Sequence, residues 1–152
     1  MTQIPRARRS PVPLNRCSLA KTVELIGDRW SLLILRSALY GVRRFDDFQN
    51  ELGAPRTVLS GRLKKLAQDG LLDKQGYKEP GKRTRNEYVL SKKGEALRPI
   101  LIALTQWGDD WLNNGDAPIS FSAKDRGRVR AGFVDEDGRA VDVSDMRPVL
   151  RR

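Results

Sequence analysis

The sequence predicts a mainly α-helical fold with one small β-hairpin. Apolar residues recur every three or four positions through the middle of the chain, which is typical of helices, and the period shortens to two after Gly70. Apolar residues make up 39% of the 152 residues, enough for a core in a domain of ordinary size. The length indicates one domain, with or without an appendage.

The charge is strongly basic and unevenly distributed. Lys and Arg number 29 against 19 Asp and Glu, a net charge of +10. Residues 1–16 contain four arginines, several prolines and no acidic residue, which predicts a flexible basic arm. Residues 17–114 carry the periodic pattern and predict the folded domain, followed by a tail over 115–152. Such a balance favours a polyanionic partner, with nucleic acid the first candidate.

Several classes of function are disfavoured because the residues that they require are absent or scarce. The chain has no histidine and one cysteine, which excludes His-based catalysis, Cys–His nucleophile pairs, Cys/His zinc clusters and an intramolecular disulfide. It has no Gly-rich phosphate loop and no paired-carboxylate motif on a defined scaffold. We therefore expect no enzyme, no cofactor and no metal. The lack of a long apolar run predicts no membrane partner and a cytoplasmic location.

The apolar spacing predicts helices over residues 18–26, from residue 28 or 30 to 40, over about 45–52, and over roughly 56–69. Pro55 suits the start of the fourth helix. Leu59, Leu63 and Leu66 form one face of that helix. Its opposite face is small, polar and basic, with Thr57, Ser60, Gly61, Lys64, Lys65 and Gln68.

Two strands are predicted over residues 71–77 and 85–90, joined by a basic loop with a Pro80-Gly81 turn. Ser91 can cap a long helix that extends to about Asn113. Gly94 weakens the beginning of this helix, and Pro99 predicts a kink or a second start near residues 97–98, because proline removes a backbone donor.

This order of elements is that of a winged helix-turn-helix, in which one helix enters the major groove of DNA and the hairpin, or wing, contacts the backbone or the minor groove. Arginine can bind guanine or a phosphate, small residues allow close approach, and hydroxyl groups donate or accept hydrogen bonds. The expected DNA contacts are Arg43, Arg44, Arg56, Thr57, Ser60, Gly61, Lys64, Lys65, Lys82, Arg83 and Arg85.

Short motifs occur in a fixed order: Cys17, GDRWSLLILR at 27–36, GVRRFDDF at 41–48, LSGRLKKL at 59–66, DGLL at 69–72, EYVLSKKG at 87–94 and WG at 107–108. Over about residues 15–114 the chain resembles HxlR-type transcriptional regulators. The resemblance implies a homodimeric DNA-binding repressor or activator with MarR-like architecture. Pro55 departs from the family, which usually has Ser or another capping residue there, and Gly61 weakens an exposed helix interior.

The last helix has an apolar stripe wider than one core requires, which predicts a helical dimer interface. The resemblance adds the first helix to that interface. The expected interface residues are Leu19, Val23, Leu101, Leu104, Trp107 and Trp111. Because such regulators often respond to small molecules, a ligand pocket between the helices of the dimer is the alternative role for the two tryptophans.

Cys17 has two interpretations. It precedes a predicted helix, with Arg16 before it and Lys21 after it, and this setting favours a thiolate. The resemblance implies a redox or electrophile sensor, since relatives use a cysteine at this position as a switch. The alternative is a small, inert, buried side chain.

Two further questions stay open in the sequence. In the tail, alternation over residues 129–134 and 139–143 around a 135–138 turn suggests a small hairpin, with disorder as the alternative. The rival function is a winged-helix module that binds an acidic protein. Strongly salt-dependent binding of duplex DNA would distinguish the regulator from that module.

Overall fold

A computed structural model describes residues 10–150, so residues 1–9 of the expected basic arm lie outside the described part. The described chain divides into two compact units. One comprises Ser18–Leu101, and the other comprises the described residues up to Cys17 together with those from Ile102 onward.

The first unit is mainly α-helical with one hairpin, as the sequence predicts. Its helices are α1 (Ser18–Ile26), α2 (Arg29–Leu39), α3 (Phe45–Leu52), α4 (Arg56–Gln68), α5 (Lys92–Glu95) and the beginning of α6 (Arg98–Trp111). Its strands are β1 (Leu72–Tyr77) and β2 (Arg85–Leu90). The helix starts and ends agree with the apolar pattern to within one or two residues.

The core of this unit combines side chains from α2, α3 and α4. The completely buried apolar residues are Ile34, Leu35, Phe48, Leu59, Leu63 and Leu66. Leu71 and Leu72, at the beginning of the hairpin, are 1% exposed and belong to the same cluster. Burial of these side chains fixes which face of α4 points outward.

The hairpin is antiparallel, with Leu72 opposite Leu90 and Tyr77 opposite Arg85. The segment before α3 joins the hairpin through one isolated bridge, in which Arg44 pairs with Glu87 and the Tyr88 N–H donates to Arg43 O at 2.8 Å. The wing is therefore hydrogen-bonded to the chain that enters the helix-turn-helix.

The predicted interruption of the last helix is present, since α5 ends at Glu95 and α6 begins at Arg98. Gly94 has a role that we did not predict. A Cβ atom at this position would lie 2.2 Å from Leu71 O, so the glycine permits a close backbone approach. Ser91 caps α5, because its Oγ accepts from the Gly94 N–H at 3.1 Å and donates to Gly70 O at 2.5 Å.

The second unit contains the rest of α6 and small hairpins. They pair β3 (Ser122–Ala123) with β4 (Gly127–Arg128), and β5 (Phe133–Val134) with β6 (Ala140–Val141). The second hairpin lies in the predicted region, although its strands are shorter. Its first strand is shorter because Val129 O and the Ala131 N–H bind the side-chain amide of Gln106 on α6, at 3.0 and 2.7 Å. The β3–β4 hairpin was not predicted.

Within residues 10–150, none of the helices has the length and apolar character needed to cross a membrane.

Candidate nucleic-acid interface

Helix α4 is amphipathic, and its exposed face carries the predicted recognition residues. Leu59, Leu63 and Leu66 have no exposed surface and point into the core. The residues on the other side are all exposed: Arg56, Thr57, Ser60, Gly61, Lys64 and Lys65. No neighbouring atom lies within 4 Å of a Cβ placed on Gly61, so a partner can approach the backbone there.

The first turn of α4 is fixed by α3 rather than by a side-chain cap. Pro55 occupies the capping position and provides no side-chain hydrogen bond, as its residue type requires. The guanidinium group of Arg56 instead lies 4.7 Å from the centre of the Phe45 ring, and its Nη1 is 3.5 Å from Gln49 Oε1. Arg56 therefore has a defined position beside the helix-turn-helix turn.

Asp28 positions α4 against α2. Its Oδ1 accepts hydrogen bonds from the N–H groups of Trp30 and Ser31, each at 3.1 Å, and lies 3.2 Å from Arg62 Nε. Burial acts to raise the pKa of Asp28, but the hydrogen bonds from Ser31 and the charge of Arg62 outweigh it, so the pKa is lowered. Sequence reasoning did not assign Arg62, although an aspartate directly before a helical run was a visible capping signal.

The two arginines before α3 are both exposed. Arg44 lies over the Tyr77 ring, 4.4 Å from its centre, and its Nη1 is 2.8 Å from Glu79 Oε1. Among residues 10–150, no carboxylate forms an ion pair with Arg43. One arginine is thus fixed against the wing, and the other extends toward solvent.

Two of the three exposed wing cations that were predicted to contact DNA are paired. Lys82 Nζ is 2.6 Å from Glu79 Oε2, and Arg85 Nη1 is 3.2 Å from Asp46 Oδ2. Arg83 has no ion-pair partner within the described chain. The hydrogen bond and charge of Lys82, together with Arg44, lower the pKa of Glu79, so this carboxylate is ionised at neutral pH.

An open cleft of about 360 Å³ lies between the beginnings of α3 and α4 and the wing. Its lining consists of aromatic, cationic and polar residues: Phe45, Asp46, Arg56, Tyr77, Arg85, Asn86 and Tyr88. Burial raises the pKa of Tyr88. The structure thus brings the predicted residues Arg56 and Arg85 to one cleft, whereas the aromatic residues and carboxylates around them were not predicted.

Most of the predicted interface side chains are exposed. On α1, Leu19 is 71% exposed and Val23 is also exposed. On α6, Leu104, Trp107 and Trp111 form an exposed stripe, with Trp111 at 73%.

The assignment of Leu101 to the interface was wrong. Leu101 is 8% exposed and packs in the hydrophobic core of its own chain. It lies about a quarter turn around α6 from the middle of the exposed stripe. Sequence periodicity grouped the buried and the exposed apolar residues into one broad stripe.

Cys17 lies between a short 3-10 helix, Leu14–Arg16, and the first residue of α1. Its side chain is half-buried, and its N–H donates to Leu14 O at 3.1 Å. The position is neither fully enclosed nor fully open to solvent.

Together, the helix-turn-helix, the exposed basic face of α4 and the β1–β2 wing define a winged helix-turn-helix protein. The HxlR-like helix-turn-helix model matches residues 25–116, and the chain belongs to that family. This agrees with the resemblance seen in the sequence motifs.

A similar relative is Rv3095 of Mycobacterium tuberculosis, an uncharacterised HTH-type transcriptional regulator. It is 43% identical over 101 residues, which are 66% of this chain and 63% of Rv3095. The chain therefore spans less than two thirds of that relative's length. The relatives are described as transcriptional regulators and not as enzymes.

Solved structures share the fold. The crystal structure of PA1607, described as a candidate transcription factor, is 31% identical with a TM-score of 0.76 and covers 89% of this chain and 95% of its own. This likeness extends beyond the residues that the family model matches. The reduced form of the transcriptional regulator YodB from B. subtilis is 27% identical with a TM-score of 0.54, and it covers 66% of this chain and 98% of its own.

Proposed function

We propose that this protein is a transcriptional regulator that binds specific duplex DNA sequences as a homodimer. Helix α4 lies in the major groove, and the wing contacts the sugar-phosphate backbone or the adjacent minor groove. The observation that carries the proposal is the division of α4 into a completely buried leucine face and an exposed face of small and basic residues. A helix with this division presents its outer face to a groove of suitable width.

The roles of the α4 residues follow from their chemistry. Thr57 and Ser60 can donate to or accept from base edges, and Gly61 lets the backbone approach the bases. Lys64 forms no ion pair within residues 10–150, so it presents a full charge to a phosphate. Arg56, beside the cleft, reaches a guanine or a phosphate from the first turn of the helix.

Cations on three segments support the same surface. Arg43 and Arg44 precede α3, Lys64 and Lys65 lie on α4, and Arg83 is at the wing tip; all are exposed. In a winged helix-turn-helix, these segments face the DNA backbone on both sides of the recognition helix. If these cations only kept the surface solvated, they could lie on any element. They lie instead on the three segments that a winged helix-turn-helix places against DNA.

The homodimer is supported by apolar side chains that no residue of the described chain covers. Leu19 and Val23 on α1, and Leu104, Trp107 and Trp111 on α6, are each more than half exposed. Exposed tryptophans at helical spacing are typical of an interface between subunits. A two-fold dimer recognises half-sites about one helical turn, ~34–36 Å, apart.

Thiol modification of Cys17 is the switch that we favour. The side chain is half-buried beside the beginning of α1, whose exposed apolar residues belong to the proposed dimer interface. Modification there would change the packing of α1 between subunits. YodB, which has the same fold, was crystallised both reduced and after diamide treatment. With one cysteine per chain, the products are an intersubunit disulfide or a mixed thiol adduct.

The experiment is selection of bound duplexes from a random pool by the purified full chain, reduced and after diamide treatment. A pseudo-palindromic selected site, bound by the reduced protein with strong salt dependence, is the expected result. Cys17→Ser should bind that site with or without diamide. A protein that selects no duplex, but binds an acidic polypeptide, would support the rival interaction module instead.

Matched lysine variants test the orientation of the surface. Lys64→Ala should weaken binding to all duplexes and reduce the slope of log K against log salt by about 1.8, the loss of one phosphate contact in each subunit of the homodimer. Lys92→Ala removes an exposed cation from α5, outside the proposed surface, and should leave the slope unchanged. Equal effects of the two variants would contradict the proposed orientation.

A further inference from the structure

Glu79, at the beginning of the wing turn, holds two of the cations that we assign to the DNA surface. Its Oε1 accepts from Arg44 Nη1 at 2.8 Å, and its Oε2 accepts from Lys82 Nζ at 2.6 Å. Arg44 lies before α3, whereas Lys82 lies at the wing tip, so one carboxylate joins two segments. The ring of Tyr77 contacts Arg44 as well, 4.4 Å from its guanidinium carbon.

The other carboxylates near this surface are arranged differently. Asp69 pairs with Lys65, four residues earlier in the chain. Asp46 pairs with Arg85 at 3.2 Å, and both of these side chains are about three-fifths exposed. Each holds one cation. Glu79 engages both of its oxygens, and its side chain is 33% exposed, less than either of its partners.

This pairing changes the charge that the segment presents to DNA. Arg44 and Lys82 alone would contribute +2, whereas with Glu79 the group contributes +1. Affinity for DNA of any sequence depends on the number of phosphates that cations neutralise, because each neutralised phosphate releases counterions. Base contacts made by α4 do not involve Glu79. Its negative charge therefore weakens the sequence-independent part of the binding free energy and leaves the sequence-dependent part unchanged.

We propose that Glu79 is an affinity-limiting residue of the DNA surface: by offsetting part of the charge of Arg44 and Lys82 it weakens binding to DNA of every sequence, and it leaves discrimination between sequences to the base contacts of α4. This inference rests on the proposed function and adds a residue that acts against affinity. Removal of the charge should strengthen binding to random DNA, whereas loss of a merely structural tie in the wing should weaken it.

The test uses Glu79→Gln in the full chain, with a random-sequence duplex and with the duplex selected by the parent protein. For the random duplex, we expect tighter binding and a slope of log K against log salt that is steeper by about 1.8, which is about 0.9 for each subunit of the homodimer. The gain in affinity should accordingly shrink about 12-fold between about 50 mM and about 200 mM salt. The affinity for the selected duplex should rise by the same factor, so the ratio of the two affinities should stay that of the parent.

Two matched variants separate charge from structure. Glu95→Gln makes the same change in net charge, but Glu95 pairs with Arg98 at 2.7 Å, outside the residues assigned to DNA, so the slope should stay that of the parent. Glu79→Asp keeps the charge and shortens the side chain, and it should also keep the parent slope. Thermal unfolding midpoints of all variants establish that each is folded.

The outcomes are distinguishable. If the parent binds its selected duplex, and Glu79→Gln binds random DNA with an unchanged slope or more weakly, the inference about Glu79 is overturned and the proposed function stands. An equal steepening in Glu95→Gln also overturns it, because the effect would then reflect total charge. If the parent binds no duplex at any salt concentration, the proposed function fails, and the inference fails with it.

Discussion

Arg62 of α4 lies with its Nε 3.2 Å from Oδ1 of Asp28, the residue that caps α2. The same carboxylate oxygen accepts hydrogen bonds from the N–H groups of Trp30 and Ser31. It therefore caps the first turn of α2 and also attracts a side chain of α4. Arg62 is on the flank of α4, between its buried leucines and its exposed recognition residues. This contact therefore supports the rotation of α4 about its axis that the buried leucines set.

The first prediction separates the two roles of Asp28. Asp28→Ala removes both the cap and the ion pair and should lower the free energy of unfolding by about 1–2 kcal/mol. Asp28→Asn keeps a good capping residue but loses the charge that faces Arg62, so its loss should be smaller, below about 1 kcal/mol. Urea unfolding measures both. Equal losses in the two variants would show that the cap contributes nothing.

The second prediction concerns pH. The pKa of Asp28 in the folded protein is below its usual value of 3.8. Its stabilising contribution is therefore complete above that value and is lost as the pH falls through it toward the folded pKa, because the unfolded chain binds the proton more readily. The difference in unfolding free energy between the parent and Asp28→Asn should decrease from neutral pH to about pH 3. A difference that stays constant over this range would contradict the assignment.

The third prediction concerns Gly94. A methyl group here would lie 2.2 Å from Leu71 O and 2.9 Å from Leu90 Cδ2, so α5 must move away from the hairpin. Gly94→Ala should destabilise the protein by about 1–3 kcal/mol, even though alanine favours helices. Chemical unfolding would reveal the change. A variant as stable as the parent would mean that α5 can shift without cost.

The difference between Gly94 and Gly61 shows what the sequence could predict. Both glycines interrupt helical patterns, and the sequence alone indicated the same weakness for each. The structure places one against the Leu71 backbone and the other in open space. Periodicity predicted where the helices lie, because the leucines of α4 and the other core residues repeat at helical intervals. It carries no information about which distant backbone approaches a given position.

The candidate site shows the same limit. The exposed cations could be predicted, since they occupy the outer face of α4, the turn before α3 and the wing tip. Their partners Glu79 and Asp46 could not, because Arg44 and Glu79 are 35 residues apart, and Asp46 and Arg85 are 39 apart. Leu101 was misassigned for a related reason. A helical stripe gives the spacing of apolar residues but not the element that covers each side.

The fourth prediction uses the open setting of Gly61. Gly61→Ala should raise the free energy of unfolding by about 1 kcal/mol, because alanine restricts the unfolded chain and nothing in the described structure obstructs the methyl group. If α4 lies in the major groove, the same methyl group obstructs close approach and should weaken binding to the selected duplex. Stability and affinity would then change in opposite directions. Improved stability with unchanged affinity would place this part of α4 away from the bases.

The last prediction tests the dimer. Trp107 is 56% exposed on α6, beside Leu104 and Trp111, and an aspartate there would bury an unpaired charge in the proposed interface. Trp107→Asp should weaken dimerisation by at least about 2 kcal/mol, as expected for an interface tryptophan, and leave the subunit folded. Phe133→Asp is the matched control, because Phe133 is 54% exposed on the β5–β6 hairpin and is not among the proposed interface residues. Analytical ultracentrifugation should find monomers for the first variant and dimers for the second. If Trp107→Asp dissociates over the same concentration range as the parent, α6 is not the interface, and its exposed tryptophans need another partner.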